Sequence, residues 1–222
     1  MTGVEAPPRR PGWWPGRPKR VFDLVVASVG LIVLAPLLGI TALAVRLSLG
    51  RPVVFAQRRP GWGARPFTLY KFRTMRAARA ADGRLLPDRE RLTRLGRLLR
   101  RTSVDELPEL INVIRGDMSL VGPRPLLMEY LPRYTSEQAR RHDVRPGITG
   151  WAQLNGRNTV PWERRFALDV WYVEHQSCRL DIRILLLTLW QALAQVGVSQ
   201  PGEGTEEHFR GRETAPDIEV AR

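Results

Sequence analysis

LVVASVGLIVLAPLLGITALAV, residues 24–45, is a run of 22 residues without a charge. As one helix it is long enough to cross a hydrocarbon layer of about 30 Å, which makes it a membrane segment. A cleaved signal peptide has a shorter apolar stretch followed by small residues at a cleavage site, whereas Arg46 and Arg51 follow here, so the segment is expected to stay on the protein. Its flanks are basic at both ends: Arg17, Lys19 and Arg20 precede it, and Arg46, Arg51, Arg58 and Arg59 come after. Short basic flanks are retained on the cytoplasmic side, and two such flanks conflict with a simple span. Pro36 offers a way out. It lacks the backbone N–H, and its ring collides with the preceding turn, so a helix over 21–46 can break at Ala35-Pro36 and return to its entry face. Each arm, about 11 residues or roughly 16 Å, would then be too short to cross. A kinked spanning helix is the alternative, since prolines are tolerated in such helices.

The 222 residues suit one domain with a real core. Cys178 is the one cysteine, so no intramolecular disulfide forms, no zinc site follows from cysteine spacing, and any metal must be held by oxygen ligands. The formal charge of +13 is concentrated: residues 46–101 carry 16 Lys or Arg against 3 Asp or Glu, while the segments before and after cancel. Such a block calls for a polyanionic partner, be it nucleic acid, anionic headgroups or a phosphorylated substrate.

Residues 1–18, rich in Pro, Gly and Arg, read as a flexible basic extension whose Trp13 and Trp14 touch the interface, and residues 212–222 as a flexible tail. After the membrane segment, residues 52–56 and 67–73 read as strands around the turn at 59–63, a hairpin-like element. Residues 76–101, broken at Asp82-Gly83 and Pro87, place Leu92, Leu95, Leu98 and Leu99 at helical spacing. The resulting basic amphipathic helix sets Arg91, Arg94, Arg97, Arg100 and Arg101 beside headgroups or a phosphate site. Leu107, Leu110, Ile111 and Ile114 mark a helix ended by Gly116, and two more are expected at 162–175 and 182–196. In the last, Thr188, Gln191 and Gln195 form a polar stripe, which suits either an interfacial helix anchored by Trp190 or a core helix.

Asp105 and Glu106 at a helix start are ordinarily capping groups. Here Arg100 and Arg101 precede them, and GPRP at 122–125 follows soon after, so a carboxylate pair and cations converge. Flanking arginines can neutralise a diphosphate enough for a carboxylate to attack phosphorus, while Glu106 supplies a hard oxygen to Mg2+. Pro123 and Pro125 restrict the backbone around Arg124, which suits a cation preorganised against phosphate. RPGITGW at 145–151 and NGRN at 155–158 carry glycines together with the donors Arg145, Asn155 and Arg157, suited to phosphate or sugar hydroxyls or, more plainly, to tight surface turns.

KRVFD at 19–23, KFRTM at 71–75, TSVDELPEL at 102–110, NVIRGDMSLVGPRP at 112–125, RPGITGWAQ at 145–153 and NGRN at 155–158 together resemble a known family. Over residues 19–211 the chain is similar to the bacterial sugar transferases that act as polyprenyl-phosphate phosphoglycosyl transferases, in particular the small monotopic members. The resemblance implies a single, mixed, helix-rich α/β domain in the bacterial cytoplasmic membrane, facing the cytoplasm. It has a re-entrant membrane helix, amphipathic interfacial helices and a small β element. It also implies Mg2+ dependence and a two-step ping-pong transfer from a UDP-sugar to undecaprenyl phosphate. Asp105 aligns with the nucleophile, Glu106 with the Mg2+ ligand, and Arg100 and Arg124 with cations near the phosphate. Lys71 and Arg73 lie in a matching motif and are assigned to substrate contact.

The helix break of the family is commonly Ser-Pro, whereas Ala35-Pro36 stands here, so proline must bend the helix without help from a serine hydroxyl. The amino sugars of the small members, N-acetylated and deoxygenated, are the favoured donors, while the wider family also uses galactose, glucose and N-acetylgalactosamine phosphates. Expected partners are the two substrates, membrane lipids, and a further copy of itself or a later glycosyltransferase. A nucleic-acid reading, with Phe67, Tyr70 and Phe72 stacking on bases, is disfavoured by the apolar 22-residue run. A silent membrane scaffold is disfavoured by the intact Asp105, Glu106 and Arg124.

Overall fold

The computed structural model describes residues 14, 16–78, 80, 82–84, 86–156, 160–194 and 209. Most of the expected N-terminal extension, the expected tail and Arg157 lie outside this set.

The apolar run forms two helices, α1 (Arg17–Val33) and α2 (Ala35–Leu49), bent by 62° at Leu34. The break falls one residue before the expected Ala35-Pro36, because Pro36 is tolerated in the first turn of a new helix and not inside an old one. Both helices extend past the apolar run into its basic flanks, and so exceed the arms foreseen from sequence. At 17 and 15 residues they measure about 25 and 22 Å, each short of a bilayer core. No single helix among the described residues is long and apolar enough to cross a membrane. Outward-facing residues are strongly apolar: Val25, Val29, Ile32, Val33, Ile40, Leu43 and Leu47 are all more than half exposed.

The opposite face of α1 docks through polar residues at helical spacing. Lys19 Nζ sits 2.8 Å from Asp23 Oδ1 and 3.0 Å from Asp181 Oδ2, all three side chains being buried. Trp14 was expected at the interface; it is buried instead, because its indole Nε1 donates to Asp181 Oδ2 at 2.9 Å. Tyr172 closes the network, its hydroxyl 2.7 Å from Asp181 Oδ1. Each buried charge thus has an opposite charge and a hydrogen bond, which offset the cost of taking it out of water.

Strands β1 (Val54–Pro60) and β2 (Pro66–Phe72) form the expected antiparallel hairpin, with Gln57 opposite Leu69 and the turn shifted to 61–65. Of the long helix foreseen within 76–101, the described residues form only α3 (Asp88–Arg91) and α4 (Arg94–Arg101), since Pro87 and Thr93 each start a new turn. Leu99 reaches the core with Val45 and Phe72, joined by Leu95, while Leu98 points outward. α5 (Glu109–Arg115) ends at Gly116 with φ +91°, a left-handed cap for which glycine is suited.

Strand β3 (Ser119–Val121) pairs in parallel with β4 (Gly147–Thr149). At this crossing a Cβ on Gly122 would lie 2.4 Å from Arg145 O, and one on Gly147 would lie 2.1 Å from Gly122 N. The glycines of the GPRP and RPGITG stretches therefore let two backbones touch each other. The short helices α6 (Ser136–Ala139) and α7 (Trp151–Leu154) lead to α8 (Trp162–His175) and α9 (Cys178–Ala194). α9 packs one face into the core and leaves apolar residues exposed on the other. Asp181 and Ile184 are fully buried and Thr188 Oγ1 meets Thr149 Oγ1 at 2.7 Å, while Leu186, Leu189 and Trp190 face outward at 58–63% exposure. The result is a mixed, helix-rich α/β fold with two small two-stranded sheets among the described residues.

Candidate active site

Ser103, in left-handed conformation at φ 55°, turns the chain out of α4 into a short 3-10 turn, Val104–Glu106. Pro108 then begins α5 with no side-chain cap on its first amides. Asp105 and Glu106 accordingly do not cap a helix, and the ordinary explanation for an acidic pair at a helix start does not hold here.

The two carboxyls are held very differently. Glu106 Oε1 receives Lys71 Nζ at 2.6 Å and Arg124 Nη2 at 2.7 Å. Burial opposes its charge, but those two cations and their hydrogen bonds outweigh burial and hold the carboxyl well below the usual range. Asp105 is 8% exposed, and its carboxylate accepts no hydrogen bond from any described residue. Burial and the Glu106 charge push it up to about 6, against the pull of Lys71, Arg100 and Arg124. A buried carboxylate that nothing grips, facing three cations, keeps its lone pairs available for a reaction.

Glu109 is a third member that sequence reading missed. It is buried, 3.1 Å from Lys71 Nζ, though Oε1 lacks a well-aligned hydrogen bond. Burial first, then the Glu106 charge, pushes it up to about 7. Its spacing, three residues past Glu106 and four past Asp105, was the signal available, since such positions share one helical face.

Arg124 is set by its backbone as well as by Glu106. Its carbonyl accepts from Arg141 Nη2 at 2.8 Å, and Arg141 is pinned by Asp169 Oδ2 at 2.7 Å in a fully buried pair. Arg100 reaches over from α4, its Nε donating to Thr74 Oγ1 at 3.1 Å.

The structure thus brings together Asp105, Glu106, Lys71, Arg100 and Arg124. Other residues expected to bind substrate have structural work elsewhere. The Arg73 guanidinium donates to the carbonyls of Leu49, Gly50 and Arg51, closing the end of α2. Arg145 donates to Gly116 O at 2.9 Å and lies over Trp62, at the end of α5 away from the acidic pair. Asn155 donates back to Trp151 O at 2.8 Å and is exposed.

No cluster of three or more His, Cys, Asp or Glu able to hold a metal occurs among the described residues. Mg2+ needs no such cage: it takes one or two carboxylates and completes its octahedron with water and substrate phosphate. The uncommitted Asp105 carboxylate and Glu106 Oε2, whose single contact is Arg124 Nη1 at 3.5 Å, fit that pattern.

Taken with the fold, a carboxylate pair framed by lysine and arginine defines a protein equipped to handle a phosphate ester. The chain belongs to the bacterial sugar transferase family, whose model matches residues 15–195. It is similar to the uncharacterized sugar transferase EpsL of Bacillus subtilis, 56% identical over 193 residues, covering 87% of this chain and 96% of that one. A UDP-glucose:undecaprenyl-phosphate glucose-1-phosphate transferase of Caulobacter vibrioides is 42% identical over 181 residues, 77% of this chain and 68% of that protein. The Escherichia coli protein of the same name is 40% identical over 183 residues, which span 78% of this chain but 39% of its own length.

Proposed function

We propose that this transferase moves a sugar 1-phosphate from a UDP-sugar to undecaprenyl phosphate through a phosphosugar carried on Asp105. The observation that carries the reading is the buried, ungripped Asp105 carboxylate among Lys71, Arg100 and Arg124. The activities for which the Caulobacter and Escherichia coli relatives are named support the reaction class.

In this scheme a diphosphate enters with its charge met by Arg100 and Arg124, and Lys71 and Arg124 keep Glu106 ionised. An Asp105 oxygen attacks the β-phosphorus, the bond from that phosphorus to the bridging oxygen breaks, and UMP leaves with the electron pair. A phosphate oxygen of the polyprenyl phosphate then attacks the same phosphorus and releases the carboxylate. Neither step moves a proton onto Asp105, which need only begin ionised. Mg2+, held by Glu106 with Asp105 adjacent, would neutralise charge on the phosphate oxygens.

The bent α1–α2 pair is read as a re-entrant loop entering and leaving on the cytoplasmic face of the inner membrane. Its exposed apolar surface, its basic ends and the 62° bend support that reading. Both of these relatives are named for UDP-glucose, so UDP-glucose stands beside the UDP-linked N-acetylated amino sugars as a candidate donor.

The test is UMP release by detergent-purified protein with Mg2+, undecaprenyl phosphate and a panel of UDP-sugars. Turnover with at least one sugar, abolished in Asp105→Asn, is expected. UMP release surviving in a folded Asp105→Asn protein would remove Asp105 from the mechanism.

A further inference from the structure

A second basic site lies away from the acidic pair. A cleft of about 350 Å3 opens between the last turn of α2 and the α3–α4 region, lined by Ser48, Arg76, Arg91, Arg94 and Arg97, with Glu90 as its sole carboxylate among the described residues. Its size falls within the range of small-ligand sites, roughly 300–1,000 Å3. None of Lys71, Arg100, Asp105, Glu106 or Arg124 lines it.

These arginines are poorly neutralised. The guanidinium groups of Arg76 and Arg94 pair with no described residue. Arg97 reaches only the Leu92 carbonyl, at 3.3 Å. Arg91 donates to Arg76 O at 3.0 Å and makes a long contact with Asp88 at 3.4 Å. Four arginines and one glutamate give the cleft lining a net positive charge that suits an anion, and guanidinium forks match phosphate oxygens.

Position selects among anions. Ser48 lies one residue past Leu47, which is 79% exposed on the apolar outer face of α2, and Leu43 one turn earlier is 60% exposed. Lipid chains packed on that face would end at the level of Ser48, where the arginines begin. We propose that this cleft binds the phosphate of an anionic phospholipid headgroup, tethering the basic α3–α4 region to the membrane surface. The inference rests on the membrane reading of α1–α2 and is independent of the chemistry assigned to Asp105.

The full chain in detergent would be titrated calorimetrically with dihexanoyl phosphatidylglycerol, dihexanoyl phosphatidylcholine and inorganic phosphate. Arg76→Gln, Arg94→Gln and Arg97→Gln would be combined in one variant, leaving Arg91 to hold the Arg76 carbonyl. Saturable binding of the phosphatidylglycerol alone is expected, weakened roughly a hundredfold in the triple variant at about fivefold per arginine near an anionic surface. UMP release should be unchanged. If the triple variant fails to fold, Arg94→Glu alone should still weaken binding more than tenfold, on the order of two lost charges.

Equal phosphatidylglycerol binding by variant and wild type would overturn the proposal. Inorganic phosphate binding as tightly as the lipid would mark a free-anion site, and a raised KM for undecaprenyl phosphate in the variant would mark an acceptor site; either overturns it. Flotation separates the premises. Wild type that floats with phosphatidylcholine vesicles but binds no phosphatidylglycerol overturns the cleft assignment alone, whereas wild type that floats with no vesicle overturns the membrane reading as well.

Discussion

With a pKa of about 6, the Asp105 carboxyl is about nine-tenths ionised at pH 7 and protonated below pH 5. A protonated carboxyl cannot attack phosphorus, so the rate should rise with pH through an acid limb centred on about 6. Because the neighbouring carboxyls interact, that limb belongs to the cluster. Glu106→Gln removes the negative charge that helps raise Asp105 and frees Lys71 and Arg124. Single-turnover measurements should show its limb displaced to lower pH while the rate itself falls.

Glu109 predicts a stability effect of definite sign. Its folded pKa of about 7 exceeds its ordinary value of 4.5, so between those values the folded protein binds more protons than the unfolded chain. The Glu109 contribution is present in full below pH 4.5 and is lost as pH rises through about 7. Glu109→Gln should abolish that decline, so its Tm relative to wild type should be higher at pH 8 than at pH 5, by thermal denaturation in detergent. A constant difference across the range would mean that Glu109 titrates normally. Of this cluster, Asp105, Glu106, Arg100, Arg124 and Lys71 were legible because they lie in recognisable motifs. Glu109 sits inside one of those motifs, but its burial depends on α5 packing against β2 and α1, which the sequence does not display. Arg73 and Arg145 meet backbone carbonyls instead of joining the cluster for a related reason: arginine meets a carbonyl at a helix end as readily as a phosphate, and the sequence carries no sign of which.

Among the elements, the bend at Leu34 decides topology. In a background with Cys178→Ser, cysteines introduced singly by Arg17→Cys and Ser48→Cys should both react with an impermeant thiol reagent from the cytoplasmic side only. Reaction from opposite sides would establish a kinked span instead. The break itself was legible through Pro36, as were the hairpin, α5 and the bounds of α8. The docking of α1 was not. KRVFD reads as a basic membrane flank, and only the fold brings Asp181 and Tyr172 against Lys19 and Asp23. The Arg141–Asp169 pair was equally hidden, its members being 28 residues apart. Asp169→Asn leaves a buried guanidinium uncompensated and should destabilise the protein by about 3 kcal/mol, measured by denaturant unfolding. Replacing both residues with apolar ones of similar volume should cost less, while loosening Arg124 and slowing turnover.

For the molecule as a whole, apolar side chains on the outer faces of α1, α2 and α9 form the surface that water does not favour, and the basic block lies alongside. α9 turns its Thr188 inward and Leu186, Leu189 and Trp190 outward, the reverse of a helix facing water. Raised salt should therefore weaken electrostatic contacts yet leave the protein on membranes, with detergent needed for release. Brominated lipid should quench Trp190. Release by salt alone would mean that the apolar faces are covered by protein.

Asp105 sits where these scales meet, its charge set by Glu106, Lys71, Arg100 and Arg124 and its turn leading directly into α5. The most direct test is intact mass spectrometry of the purified protein incubated with Mg2+ and UDP-sugars, without lipid acceptor. The account predicts a covalent adduct with the mass of one sugar phosphate, absent in Asp105→Asn and discharged on adding undecaprenyl phosphate. Steady turnover of a sugar donor with no adduct formed at any time, or an adduct that persists in Asp105→Asn, would contradict it.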